Sequence, residues 1–207
     1  MHPTDIQLLT RWNNGDSMAF SALVRRFQDP LLRHARGLLG PGGLYEDVVQ
    51  EVFLKLARER LDPSIFQSSD LDKGKQLAAW LHTVTRNACM NIIRSERSRK
   101  SRERAVAPLE ATLGDQGQVD AADTRNKVEE AIGRLPVDQR EVLILRLLAG
   151  RSYREIAEVT GRKVGTVGWL ISEGMKTLGG MLSPLMAAES NSAGQPKQVE
   201  SGEMGIA

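Results

Sequence analysis

At 207 residues with a formal net charge of +2 and one cysteine, Cys89, the chain can hold one large domain or two small ones, and it cannot form an internal disulfide. No apolar run approaches the ~18 residues of a membrane span, and Met1 to Trp12 carries Asp5 and no apolar block, unlike a signal peptide. A reducing cytoplasm suits the lone cysteine, and His2, His34 and His82 are too scattered to suggest zinc.

The modest total charge hides a pattern. Residues 1–104 carry a net +5, residues 105–124 a net −4, residues 125–182 a net +3 and the remainder −2. Two basic blocks joined by an acidic segment suggest two modules that face polyanions.

In chain order, Ser17 to Leu39 repeats apolar residues at helical spacing, with Asp16 or Ser17 as its cap. Pro30 is expected to bend or split it, and Gly40-Pro41-Gly42-Gly43 to stop it. A second helix is predicted over Tyr45 to Arg60, with Val48, Val52 and Leu56 inward and Asp47, Gln50, Glu51 and Leu54 outward. Asp62 to Lys75 lacks periodicity and reads as a loop. A third helix is predicted from Gln76 to Arg99 on the stripe Leu77, Trp80, Leu81, Val84, Ala88, Ile92, Ile93; Trp80 lies on that stripe and is assigned to packing. Cys89 reads as a small helix residue and His82 as a surface imidazole. The end of this helix carries seven bases from Arg86 to Arg104 against Glu96 and Glu103, either a solvated helix end or a phosphate-binding surface.

Residues 105–124 are small, polar and acidic, and read as a flexible linker. Helices follow at about 125–133 and 137–149, and then a helix-turn-helix. Ser152 caps the first helix with Glu155 three residues on. Thr160 to Lys163 forms the turn around Gly161, and Val164 opens the second helix on Val167, Leu170, Ile171, Met175, Leu178 and Leu182. Ala157 and Gly161 are small where the helices cross. Such a unit can present a helix to the major groove of DNA. Residues 183–207, rich in Ser, Gly, Glu and Gln, read as a disordered tail. The pattern as a whole is all-α: two small helical domains, 1–104 and 125–182, the second a helix-turn-helix.

Three stretches together resemble one family. Tyr45-Glu46-Asp47-Val48-Val49-Gln50-Glu51-Val52-Phe53-Leu54-Lys55-Leu56, the run Ala79 to Arg94, and Leu135-Pro136-Val137-Asp138-Gln139-Arg140-Glu141-Val142-Leu143 followed by Ser152 to Ala157 are similar, in this order, to the two-domain extracytoplasmic-function (ECF) sigma factors of bacterial RNA polymerase. The resemblance spans about residues 5–182. It implies a promoter-recognition and transcription-initiation factor whose partners are core polymerase (clamp and flap), promoter DNA and, in regulated members, an anti-sigma protein. It implies that Asp47, Gln50, Glu51 and Phe53 meet the clamp, with Phe53 divided between core and interface. Promoter melting would fall to Arg86, Asn87, Asn91, Arg94, Arg97, Arg99 and Lys100: guanidinium groups hold phosphates, and amides offer a donor and an acceptor to base edges. The loop Leu61 to Lys75 would help pocket an extruded base, and the acidic linker would thread the polymerase channels.

Upstream-element contacts would fall to Arg154, Arg162, Lys163, Thr166, Trp169 and Lys176. Here the chain departs from the family. Positions that are usually basic hold Gly168, Leu170, Glu173 and Met175, and Val164 to Leu182 has one base, Lys176. With fewer cations to hold phosphates, the salt-dependent part of DNA affinity weakens. The recognition helix is also interrupted by glycines, each costing roughly 1 kcal/mol against Ala, and Trp169 is open to burial or to exposure on the reading face.

No phosphate-cradling loop, metal cluster or activated nucleophile is present in the pattern, so no cofactor, metal or catalytic residue is expected and the chain does not read as an enzyme. Two other readings fit the same pattern: a stand-alone helix-turn-helix regulator, and an interaction module of this fold that has lost promoter recognition.

Overall fold

The computed structural model describes residues 3–66, 75–106 and 121–192. All regular structure among them is helical: α1 (Asp5–Asn13), α2 (Ser17–Leu39), α3 (Tyr45–Glu59), a 3-10 turn (Pro63–Phe66), α4 (Gln76–Val106), α5 (Ala121–Arg134), α6 (Val137–Leu147), α7 (Tyr153–Thr160) and α8 (Val164–Ser192).

α1 is a helix that the sequence pattern did not mark out. Thr4 accepts from the Gln7 N–H while the Gln7 side chain accepts from the Thr4 N–H, a reciprocal cap. Arg26 of α2 ties Asp5 and donates to the Pro3 carbonyl at 3.0 Å, and Trp12 packs on Phe20 with ring centroids 4.7 Å apart. α2 begins where Asp16 accepts from the N–H groups of Met18 and Ala19 and ends at Gly40, as expected. Pro30 does not divide it. An interior proline costs about 3 kcal/mol, but Phe27 and Leu31 on either side are buried, and each such burial contributes about 1.5–3 kcal/mol.

The N-terminal core gathers Leu23, Leu31, Leu38, Val52, Leu56 and Leu81 from α2, α3 and α4. The C-terminal core gathers Val142, Leu143, Leu145, Ile156, Val167 and Leu170 from α6, α7 and α8. Each core reaches into the other module: Ile144 of α6 sits in the first, with Ile132 and Val137 packed against it, and Ala79 of α4 sits in the second. The modules therefore dock directly. At the seam Arg33 donates to the Leu148 carbonyl at 2.9 Å, Arg36 reaches both carboxylate oxygens of Glu129 at 3.0 Å, and Arg86 grips Glu141.

Three helix ends differ from the sequence reading. α4 runs on to Val106 and α5 starts at Ala121, so both enter the expected linker, whose residues 107–120 lie outside the described residues. α8 continues through Ser192, so the first part of the expected disordered tail is helical. Met186-Ala187-Ala188-Glu189 are good helix formers and extend a helix already nucleated by packing. Residues 193–207 lie outside the described residues.

Candidate functional surfaces

On α3 the sequence periodicity resolves as expected. Val48, Val49, Val52 and Leu56 are buried, and Asp47, Gln50, Glu51 and Leu54 face solvent. Glu46 and Asp47 sit in the first turn, where negative charge suits the helix dipole. Phe53 points inward and forms, with Phe20, Val24 and Leu32 of α2, the wall of an open apolar groove of about 490 Å³ whose rim carries Gln50 and Leu54. Three of the four expected clamp residues thus share one exposed face, and Phe53 lines the groove beside it.

On α4, Asn87, Asn91 and Arg94 succeed one another at helical steps on one exposed face, with Arg97 and Arg99 exposed a turn further on; Lys100 falls on the same helix. Arg94 donates to the Asn91 side-chain oxygen at 3.4 Å. Arg86 departs from this set. Its guanidinium is bound to Glu141 of α6 and donates to the Asn87 side-chain oxygen at 3.3 Å, so it is engaged between the modules rather than presented to solvent. Glu141 is fully buried. Burial raises its pKa, and the Arg86 hydrogen bond opposes that rise. Arg162, from the helix-turn-helix turn, stands 3.6 Å from the same carboxylate and 2.6 Å from Asp138. Glu141 does not stand out in the sequence, although an acid followed by four apolar residues (Val142 to Leu145) marks a helix surrounded on nearly every side.

The segment expected to pocket a base lies in part (67–74) outside the described residues. Next to it, Ile65, Phe66, Gln76, Trp80 and Thr83 line a recess of about 270 Å³, with Glu158 of α7 on its edge. Trp80 is partly buried against the N-terminal core, in line with its assignment to packing.

The helix-turn-helix is built as the sequence indicates. The Ser152 hydroxyl accepts from the Glu155 N–H at 3.3 Å, and Glu155 accepts from the Ser152 N–H at 2.8 Å and from Arg151 at 3.2 Å. Gly161 adopts φ +67° in the left-handed region; a Cβ added there would meet nothing within 4 Å, so it serves the turn and not helix crossing. Val167, Leu170, Ile171 and Leu178 are buried, but Met175 is exposed. The residue that turns inward there is Gly174, against Leu143. Arg154, Lys163, Thr166, Trp169 and Lys176 are all exposed, and Trp169 is 60% exposed, which settles its placement on the outer face of α8. Arg162 is half-buried and held by its acidic partners.

His82 is not a surface imidazole. It is buried with His34, Nδ1 to Nδ1 at 3.1 Å, between α4 and α2. Burial lowers both pKa values, that of His34 to about 3, so both rings are neutral at physiological pH. Cys89 is buried and its thiol is pushed up to about 12 by that burial. Among the described residues no group of three or more His, Cys, Asp or Glu could hold a metal ion, and no helix is long and apolar enough to cross a membrane.

Two basic helical modules, one with an exposed amide–arginine face and one with a helix-turn-helix, define a DNA-handling protein. Comparison with known proteins makes this specific. The family model described as Sigma-70 region 2 matches residues 23–99 and that described as Sigma-70, region 4 matches residues 125–178, together more than half of the chain. The chain is 28% identical over 188 residues to the ECF RNA polymerase sigma factor BldN of Streptomyces coelicolor, covering 86% of this chain and 65% of that relative's length. It is 28% identical over 195 residues to the ECF RNA polymerase sigma-E factor of Escherichia coli, covering 88% of this chain and 96% of that one. Among solved structures, the sigma factor RpoE from Bartonella quintana, in complex with the anti-sigma factor NepR, superposes with a TM-score of 0.57 at 25% identity, over 78% of this chain and 97% of that one. The chain belongs to the sigma-70 family of RNA polymerase sigma factors, in its ECF group, a class that supports promoter recognition and transcription initiation.

Proposed function

We propose that this chain directs core RNA polymerase to promoters, with the work divided between its modules. Asp47, Gln50 and Glu51 on the outer face of α3, beside the Phe53 groove, dock on the polymerase clamp. Asn87, Asn91, Arg94, Arg97, Arg99 and Lys100 on α4 hold the backbone and base edges of the opened strand, as amides and guanidinium groups are suited to do. Arg154, Lys163, Thr166, Trp169 and Lys176 contact the upstream element, and the C-terminal module meets the flap. The domain bounds are 1–104 and 125–182, with the acidic segment between them passing through the polymerase channels. The factor acts in the cytoplasm, needs no cofactor and catalyses no reaction: melting draws on binding free energy shared with the polymerase. Because RpoE of B. quintana is held by NepR, we extend to this chain an anti-sigma partner.

The observation that carries the reading is the unobstructed row Asn87, Asn91, Arg94 on α4, in a chain that also bears a capped helix-turn-helix. Run-off transcription with purified core polymerase tests it: a promoter-dependent transcript is expected, and no association with core overturns it. A second reading, an interaction module of the same fold, draws on the exposed Trp169 in a base-poor helix. Tight core binding without any promoter-specific transcript would favour it.

A further inference from the structure

α1 does more than cover the N-terminal core. Leu8 and Leu9 do that and are fully buried, but the last turn of the helix reaches further. Trp12 and Asn13 there meet the residues that leave α3. The Asn13 side-chain N–H donates to the Leu61 carbonyl at 2.9 Å, across 48 residues of sequence. The Arg60 guanidinium stands 5.7 Å from the centre of the Trp12 ring, within reach of a cation–π contact. α1 itself is bolted to α2, by Asp5 with Arg26 at its start, by Arg11 with Asp16 at 2.7 Å at its end, and by Trp12 on Phe20.

Arg60 is also where the backbone is strained. It adopts φ +39° and ψ +59°, and among the described residues it is the only non-glycine at positive φ. A residue with a Cβ is disfavoured in the left-handed region, and such strain persists only where the surroundings fix it. Glycine would relieve it. The position holds instead an arginine whose side chain, together with the carbonyl that follows it, is gripped by α1.

From Leu61 the chain has little freedom. The Asp62 carboxylate accepts from the Ser64 N–H at 2.9 Å and its carbonyl from the Ile65 N–H at 3.1 Å, which winds the 3-10 turn, and Phe66 is buried in the N-terminal core. The turn therefore stands where Leu61 is put. It sets Ile65 and Phe66 against Trp80 and Thr83 of α4 as walls of the recess of about 270 Å³. Thr83, Asn87, Asn91 and Arg94 succeed one another at helical steps, so the recess opens at the head of the amide–arginine row.

We propose that Trp12, Asn13 and Arg60 are positioning residues for promoter opening: they hold the left-handed exit of α3 so that Ile65 and Phe66 face α4 and the recess takes one unstacked base of the opened strand. None of the three touches that base. The proposal rests on the sigma-factor reading of α4. Aromatic walls suit the flat face of a base and tolerate any of the four.

The test uses the full chain assembled on purified core polymerase. The probe is the opened strand of a duplex promoter that the parent holoenzyme selects from random-sequence DNA, supplied single-stranded, either intact or with each position in turn made abasic. The parent should lose roughly tenfold in affinity at one abasic position, the order expected for one base held on aromatic side chains. In Arg60→Gly and in Asn13→Ala that ratio should fall to about twofold or less, with core affinity changed by less than about twofold. A chain that is merely less stable keeps the ratio among its folded molecules. Arg60→Gly should melt near the parent, because glycine accepts the left-handed conformation freely. A folded Arg60→Gly or Asn13→Ala chain that keeps the parent's ratio overturns the proposal. So does a ratio lost only together with the fold in both variants, and so does a parent that opens the promoter yet shows no sensitive position. A parent that fails to bind core at all sinks the sigma-factor reading instead.

Discussion

Gly174 of α8 passes so close to Leu143 of α6 that an added Cβ would stand 2.9 Å from Leu143 Cδ1 and 3.3 Å from Gln139 Cβ. The glycine that costs helix propensity in sequence terms is the one that lets α8 seat on α6. Gly174→Ala should therefore destabilise the C-terminal module by about 1–3 kcal/mol, the usual range for overpacking. A Cβ added at Gly179 would meet open space, and Gly179→Ala should stabilise by roughly 0.5–1 kcal/mol from propensity alone. Thermal unfolding of the two variants, read side by side, checks the opposite signs.

The Ser152–Glu155 cap gives the helix-turn-helix a dependence on acid. Burial opposes ionisation of Glu155, but the hydrogen bonds from Ser152 and the charge of Arg151 outweigh it and hold its pKa below the ordinary value. A carboxylate depressed in the folded state contributes stability above its unfolded pKa of about 4.3, and loses it as pH falls through the folded value. Ser152→Ala should cost about 1 kcal/mol at neutral pH. Glu155→Gln keeps a side-chain acceptor for the Ser152 N–H but should remove this contribution to the acid-side loss. Urea midpoints from pH 7 down to about pH 3, through the window below the unfolded pKa, test both expectations.

What is legible in the chain itself is local. Asp16, Gly40, Ser152 and Gly161 are caps and stops whose chemistry acts within a few residues, and the helices they bound start and end where they indicate. The outward set Asp47, Gln50, Glu51 follows from a period of 3.6 alone. The cap of α1, Thr4 with Gln7, carries the same kind of signal, but the helix behind it is only nine residues long and its apolar stripe is correspondingly brief. What stays illegible is pairing at long range. Arg86 has no local reason to choose Glu141, 55 residues away, over solvent. Nor does periodicity mark His82 as buried, since only its contact with His34 makes an imidazole acceptable in the core. Pro30 misleads for the converse reason: a local penalty is outweighed by the packing of its neighbours.

The His34–His82 pair makes a sharp case for a double-mutant cycle. One Nδ1 donates and the other accepts, and the Nε2 atoms of both rings are buried with no hydrogen-bond partner among the described residues. Replacing one ring by Leu strands the Nδ1 of the other and should cost about 1–3 kcal/mol, whereas replacing both with Leu should cost less than the sum. Because burial depresses both pKa values, the unfolded chain binds protons that the folded chain refuses. The N-terminal module should lose stability as pH falls below about 6.5, with a slope of up to roughly 1.4 kcal/mol per pH unit for each histidine. That slope should vanish in the double variant; a parent whose stability is flat between pH 7 and pH 5 would show the rings are not held neutral.

Trp169 and its basic neighbours should separate cleanly by salt. Arg154 on α7, Lys163 in the turn and Lys176 on α8 are exposed cations of the helix-turn-helix. Neutralising any one of them that holds a phosphate should lower the slope of log affinity against log salt by about 0.9. Trp169 carries no charge. If it reads a thymine methyl or packs on sugar, Trp169→Ala should weaken upstream-element binding by about 1–3 kcal/mol with the slope unchanged. Because the ring is 60% exposed, the melting temperature of the variant should stay near that of the parent, so any drop in affinity is not a loss of fold. Binding isotherms for a promoter fragment at several salt concentrations distinguish the two modes of binding. A Trp169→Ala chain that binds the fragment as tightly as the parent at every salt concentration assigns the ring to a protein partner and removes it from promoter reading.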